Sequence, residues 1–213
     1  MNVFVAGGHG KIGLRLLRLA AQRGDQARGL IRDAGQSADL EAVGAEPVIA
    51  DWEAGDDITP LVAGADAVVF AAGAGPGSGP ERKRTVDYGG AVKLIEAAKA
   101  NGVSRYVIVS SMGADDPLSG PESMRPYQEA KAAADEALRE SGLHFTIVRP
   151  GMLTDDPGTG LVDAAPSLGR RGSIPRDDVA AVLLAVLDAP STISMTFELL
   201  SGDTPIDEAV RKV

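Results

Sequence analysis

The sequence predicts a doubly wound α/β fold, a parallel sheet covered by helices on both faces. Three observations carry this. Short Val- and Ile-rich runs alternate with Ala- and Leu-rich helical stretches along the chain. The runs are apolar without a break, as strands buried on both faces are. A glycine-rich turn, "GGHGKIG" at 7–13, joins the first run to the first helix. Regular strand–helix alternation implies right-handed crossovers and hence this layered arrangement.

The elements follow in order. "NVFVA" (2–6) reads as the first strand, and a helix follows near 11–23. "ARGLI" (27–31), "EPVIA" (46–50), "DAVVFAA" (66–72), "RYVIVSS" (105–111) and "FTIVRP" (145–150) read as further strands. Helical patterns fall between them near 37–43, 57–63, 82–101 and 123–141. After Pro150 the pattern loosens. Residues 151–175, rich in Gly, Pro and Asp, read as a loop or small irregular cap that forms much of the substrate pocket. A helix at 176–189, a strand at 193–200 and a terminal helix near "PIDEAVRKV" complete the chain. No repeat and no long linker divides it, so residues 1–213 are expected to form a single domain, a length that allows a substantial core.

Composition narrows the function classes. The net charge of −9 repels phosphate backbones, which argues against a nucleic-acid partner. There is no cysteine, so disulfides, thiolate nucleophiles and cysteine-ligated metals are excluded. Two histidines, His9 and His144, are too few for a histidine metal site, and no metal is expected. No apolar run approaches about 20 residues, the length a membrane span needs. The first strand begins at once, without the basic-then-apolar pattern of a signal peptide. The expected setting is the cytoplasm and the expected partner a small-molecule substrate. The oligomeric state is open.

Gly7, Gly10 and Gly13 form a G-x-x-G-x-x-G pattern between a strand and a helix, the arrangement a phosphate site needs. The first glycine permits a tight turn, the second admits a pyrophosphate, and the third lets the helix pack close to the strand. The helix N-terminus offers free N–H groups and a positive dipole end. The second strand ends in "LIRD". NAD-binding units place an acid there for the ribose 2′-OH; here the position falls on Arg32, whose guanidinium suits a 2′-phosphate. NADP(H) is therefore favoured over NAD(H). The alternative for Arg32 is a solvated surface charge, and Asp33 beside it could serve a ribose. Asp51 stands where it could reach an adenine edge. Trp52 could flank the ring or pack in the core. Ala72 and Gly73, after the fourth strand, leave a cofactor room.

"YQEAK" places Tyr127 and Lys131 one helical turn apart on one face. An inward-facing lysine is costly and needs a reason. An ammonium beside a phenol favours the phenolate, so a tyrosine so placed can exchange a proton with a carbonyl or alcohol oxygen. "VSSM" ends the fifth strand at the sheet's carboxyl edge, where such folds bind ligands. Ser111 is the choice for orienting a substrate oxygen and Ser110 is assigned to the cofactor; either could instead cap its strand end.

The glycine loop, "SSMGA", "YQEAK" and "VRPG" occur in an order that resembles the short-chain dehydrogenase/reductase superfamily over roughly residues 1 to 205. The glycine pattern, "RKRTVDYGGAVKLIEAAKANGVSRYVIVSSMGA" and "SIPRDDVAAVLLAVL" are similar to its small atypical, extended-like branch. That branch includes flavin and biliverdin reductase-like proteins and sugar-epimerase relatives. The resemblance implies that Gly7, Gly10 and Gly13 line a pyrophosphate, with His9, Lys11 and Ile12 between them. It implies that Arg32 meets the 2′-phosphate, that Asp51 and Trp52 lie near adenine, and that Ala71, Ala72 and Gly73 flank the ribose. Tyr127 would be the acid/base, Lys131 would hold the nicotinamide ribose and tune the tyrosine, and Pro150 and Gly151 would lie beside the nicotinamide. Two positions depart from the pattern. Asp87 stands where an asparagine often extends the proton relay, and Met112 stands where the extended branch often has its substrate serine. The implied activity is NADPH-dependent hydride transfer to a small carbonyl. Direct reduction of a flavin-like acceptor and cofactor binding without turnover are the alternatives.

Overall fold

A computed structural model describes every residue except Pro76. The strands are β1 (Asn2–Ala6), β2 (Gln26–Ile31), β3 (Glu46–Ile49), β4 (Ala67–Phe70), β5 (Arg105–Val109) and β6 (His144–Pro150). They continue with β7 (Met152–Thr154), β8 (Leu161–Ala165), β9 (Ser173–Pro175), β10 (Met195–Ser201) and β11 (Thr204–Pro205). Among the described residues the main sheet has nine strands, in the order β11-β8-β10-β6-β5-β4-β1-β2-β3. From β3 to β10 every pairing is parallel, as the apolar runs predict.

The helices are α1 (Lys11–Arg23), α2 (Ser37–Ala42), α3 (Pro80–Arg82), α4 (Ala91–Ala100), α5 (Arg125–Glu140), α6 (Arg176–Leu187) and α7 (Ile206–Lys212). On one face of the sheet, α1 and α6 bury Leu16, Leu17, Leu183 and Val186 against Val5 and Val69. On the other, α4 and α5 bury Leu94, Ala98 and Leu138 against Phe70 and Ile108. The two-sided core follows from alternate strand residues facing opposite layers.

Three stretches differ from the periodicity. The helix expected at 82–101 is not uniform: Lys83–Gly90 is π-helical and runs between α3 and α4. The cap at 151–175 is more regular than its composition suggests. β7 and β9 pair with each other in parallel, and β8 joins the main sheet antiparallel to β10. The helix expected at 57–63 is a single 3₁₀ turn, Thr59–Val62. Glycine and proline content reads as loop, yet β7 and β9 are only three residues each, and β8 is held between β10 and β11.

Strand order reverses between β1 and β4. In open α/β sheets this switch point leaves a crevice at the carboxyl ends of the strands. The loop after β1 faces the loop after β4 across it.

Candidate active site

The glycine loop is built for close approach. Gly7 has φ +89°, a left-handed conformation, and a Cβ there would lie 2.7 Å from the backbone of Ala72. A Cβ on Gly13 would lie 2.1 Å from the Gly7 carbonyl oxygen, so helix α1 can start this near the strand only with glycine at 13. Gly8 lies outside the three-glycine pattern but has its own role. Its N–H donates to the Leu30 carbonyl at 2.9 Å, and a Cβ there would meet Gly29 of β2 at 2.8 Å. No acidic side chain stands in the first turn of α1, and no side chain caps Gly10. The N–H groups of that turn are therefore available to an anion. A cradle that any Cβ would fill, beneath unclaimed N–H donors, fits a dinucleotide pyrophosphate.

From this cradle a groove of about 280 Å³ runs over the ends of β2 and β3. Gly7, His9, Gly10, Arg32, Asp51, Trp52, Ala71, Ala72 and Gly73 all line it. Trp52 lines the groove and packs against Phe70, with ring centroids 6.3 Å apart. The π-helical segment presses on its other side, where a Cβ on Gly90 would meet the indole at 3.0 Å. The Asp33 side chain accepts from the Gly35 N–H at 2.8 Å and so is engaged in its own turn. The Asp51 carboxylate accepts from the Glu53 N–H at 2.8 Å.

Several expected residues take other places. Lys11 Nζ pairs with Asp155 of the cap at 2.5 Å, and the Ile12 side chain is buried in the core. Both bring only backbone to the loop, because their side chains project away from the strand end. Ser110 is buried behind the groove beside Asp135, not along it. The Asp135 carboxyl is pushed up by burial, against the pull of the Arg149 guanidinium, which donates to it at 2.9 and 3.0 Å. Pro150 and Gly151 lie at the end of β6. The Pro150 carbonyl accepts from the Met112 N–H at 3.1 Å, and Gly151 has no room for a side chain against Leu200 and Gly172.

Tyr127 and Lys131 do come together at the carboxyl edge. Lys131 is 3% exposed, and its Nζ lies 5.8 Å from the Tyr127 ring centroid. The ammonium donates to the Val109 carbonyl at 3.0 Å and lies 3.3 Å from Asp87 Oδ1. Burial alone would push the Lys131 pKa down. The charges of Tyr127 and Asp87, the Asp87 hydrogen bond and Asp135 outweigh it and leave the ammonium above its ordinary 10.5. Asp87 Oδ2 accepts from the Ala74 N–H at 3.1 Å, which ties the groove wall to the lysine. Lys83 lies over the other part of the Tyr127 environment, 5.4 Å from the ring centroid. Ser111 is half-buried and accepts from Gln128 Nε2 at 3.4 Å; the same amide donates to the Met112 carbonyl at 3.1 Å.

Sequence reasoning treated Asp87 only as a departure from a pattern, and did not find Glu53, Arg82 or Gln128. One signal was available for Asp87. It stands between Val86 and Gly90 on the buried side of its segment, and a buried carboxylate requires a partner.

A glycine cradle at the switch point of a parallel sheet, with a buried lysine beside a tyrosine at its edge, defines a Rossmann-type NAD(P)-binding protein of atypical short-chain dehydrogenase/reductase character. The chain belongs to the family described as NAD(P)H-binding, whose profile matches residues 7–190. It is 44% identical, over all of both chains, to a Bacillus subtilis (strain 168) relative called an uncharacterized sugar epimerase, YhfK. Among solved structures it is similar to a putative NAD-dependent epimerase/dehydratase from Bacillus halodurans, at TM-score 0.96 and 40% identity over the whole of both chains. The oxidoreductase ylbE from Lactococcus lactis matches at TM-score 0.87 and 26% identity, covering 100% of this chain and 96% of that one.

Proposed function

We propose that the protein is an NADPH-dependent oxidoreductase acting on a small carbonyl or related acceptor. The observation that carries this reading is the buried Lys131 ammonium held beside Tyr127, at the edge of the sheet reached from the glycine cradle. The nicotinamide, when bound, supplies the hydride. The chain's own residues do the rest. The backbone N–H groups of the glycine loop and of the first turn of α1 hold the pyrophosphate. Arg32, which lines the groove, would meet a 2′-phosphate, and Asp33 Oδ1 is engaged with the Gly35 N–H, which supports this reading. An ammonium has three donors. Lys131 gives one to Val109 and faces Asp87 as an ion pair, and a remaining donor would serve the nicotinamide ribose. Ser111 orients the acceptor oxygen, and Tyr127 Oη delivers the proton to it.

The test is NADPH consumption across an acceptor panel of carbonyls, flavins and sugar derivatives, with the wild type and Tyr127→Phe. The variant should lose about 10²- to 10⁴-fold in carbonyl turnover, the size of a general-acid contribution, while binding NADPH as before. Undiminished turnover would refute the tyrosine's role and favour direct hydride transfer with a proton from solvent. Tight NADPH binding with no consumption by the wild type would favour a binding protein. Sugar interconversion without net consumption would favour the activity that the name of the Bacillus subtilis relative carries.

A further inference from the structure

At the adenosine end of the groove three side chains meet that have no part in the glycine cradle. Arg32 reaches in from the end of β2 and Arg82 from the end of α3, on the opposite wall. Both guanidinium groups address the same atom, Glu53 Oε2, at 3.4 and 3.3 Å. Glu53 Oε1 accepts from the Thr85 hydroxyl at 2.9 Å, so the carboxylate is anchored at its other oxygen. All three residues line the groove.

The distances decide how firmly this triad is held. Charge-assisted N–H···O bonds close to about 2.7–2.9 Å when well made. Both arginine contacts are longer by roughly half an ångström, and both guanidinium groups are partly in water, where single ion pairs contribute little. Two positive charges also face one negative charge. The triad is therefore a loosely closed bridge with a surplus cation. A phosphate dianion, with three acceptor oxygens, matches the pair of arginines better than one carboxylate oxygen does.

We propose that Arg82 is the second arm of a 2′-phosphate clamp and that Glu53 is the specificity-determining residue that competes for it. Arg32 and Arg82 exchange Glu53 for the 2′-phosphate, each swinging from a shared carboxylate oxygen to oxygens of the ligand. Glu53 keeps Thr85 and contributes a repulsion that the two arginines must outweigh. It thus lowers NADPH affinity and, by holding both arginines together when no phosphate is present, leaves NADH affinity untouched. This rests on the NADPH reading above, and it adds a residue and a competing charge that no glycine or β2 motif indicates.

The experiment titrates NADPH, NADH, 2′,5′-ADP and 5′-AMP into wild type, Arg32→Ala, Arg82→Ala and Glu53→Gln by calorimetry, with thermal melts as a folding check. Arg82→Ala should weaken NADPH and 2′,5′-ADP by about ten- to hundredfold, the loss of a hydrogen-bonded charge pair, and leave NADH and 5′-AMP unchanged. Glu53→Gln should tighten NADPH and 2′,5′-ADP and leave NADH unchanged. The inference alone is overturned if Arg32→Ala loses 2′,5′-ADP while Arg82→Ala binds it as the wild type does. It is also overturned if Arg82→Ala weakens all four ligands equally, or if Glu53→Gln weakens NADH, which would make Glu53 a ribose ligand. If the wild type does not prefer NADPH and Arg32→Ala changes nothing, the NADPH reading itself fails.

Discussion

Lys131 shows how much a single buried charge constrains its neighbours. Its ammonium is out of water and has a carboxylate at 3.3 Å and a carbonyl at 3.0 Å. Removing one member of such a pair strands the other, at a cost of about 3–5 kcal/mol. Lys131→Met should therefore destabilise the fold by about that amount, with Asp87 left alone. The pH dependence follows from the direction of the shift. The folded pKa lies above 10.5, so the ammonium's contribution is fully present below 10.5 and is lost as pH rises through the folded value. Urea unfolding of wild type and Lys131→Met should show a gap that stays constant from about pH 7 to about pH 9 and narrows only above the ordinary lysine value. A gap that closes near neutrality would mean that the lysine titrates there. At this scale the sequence showed the pair but not its partner. Tyr127 and Lys131 are four residues apart and visible as spacing, whereas Asp87 meets Lys131 only through the packing of two helices.

Elements decide which of the sequence signals reach the groove. Helix α1 can start against β1 only because Gly13 leaves the Gly7 carbonyl free of a side chain. Gly13→Ala would force a Cβ into backbone atoms that cannot rotate away. Overpacking of this kind costs about 1–3 kcal/mol, and the displaced loop should bind dinucleotide poorly. A melting temperature and NADPH affinity equal to wild type would show that α1 can shift without consequence. The parallel strands and their order of appearance were legible because two-sided burial writes itself as unbroken apolar runs. The π-helical segment Lys83–Gly90 was not. Its extra residue per turn leaves the apolar pattern nearly helical while it turns Asp87 inward and sets Gly90 against Trp52. Such insertions recur at functional sites. Glu53 and Arg82 were missed for a related reason. They are separated by a strand and a loop, and only the sheet's switch point brings them to one groove.

Across the whole molecule, the groove and the Tyr127–Lys131 edge are joined by one continuous stretch. Residues 80–90 carry Arg82 in the groove lining beside Glu53, Lys83 near the Tyr127 ring, and Asp87 against Lys131. On the far side, Lys11 and Arg176 both pair with Asp155, so the start of α1 and the start of α6 hold the cap segment between them. The measurement that bears most directly on this account is a calorimetric titration of NADPH and NADH into the wild type and Arg32→Ala. The account predicts saturable binding of both nucleotides and a preference of about tenfold or more for NADPH, which Arg32→Ala reduces by weakening NADPH alone. Equal affinity for the two nucleotides in the wild type, or no binding of either, would contradict it.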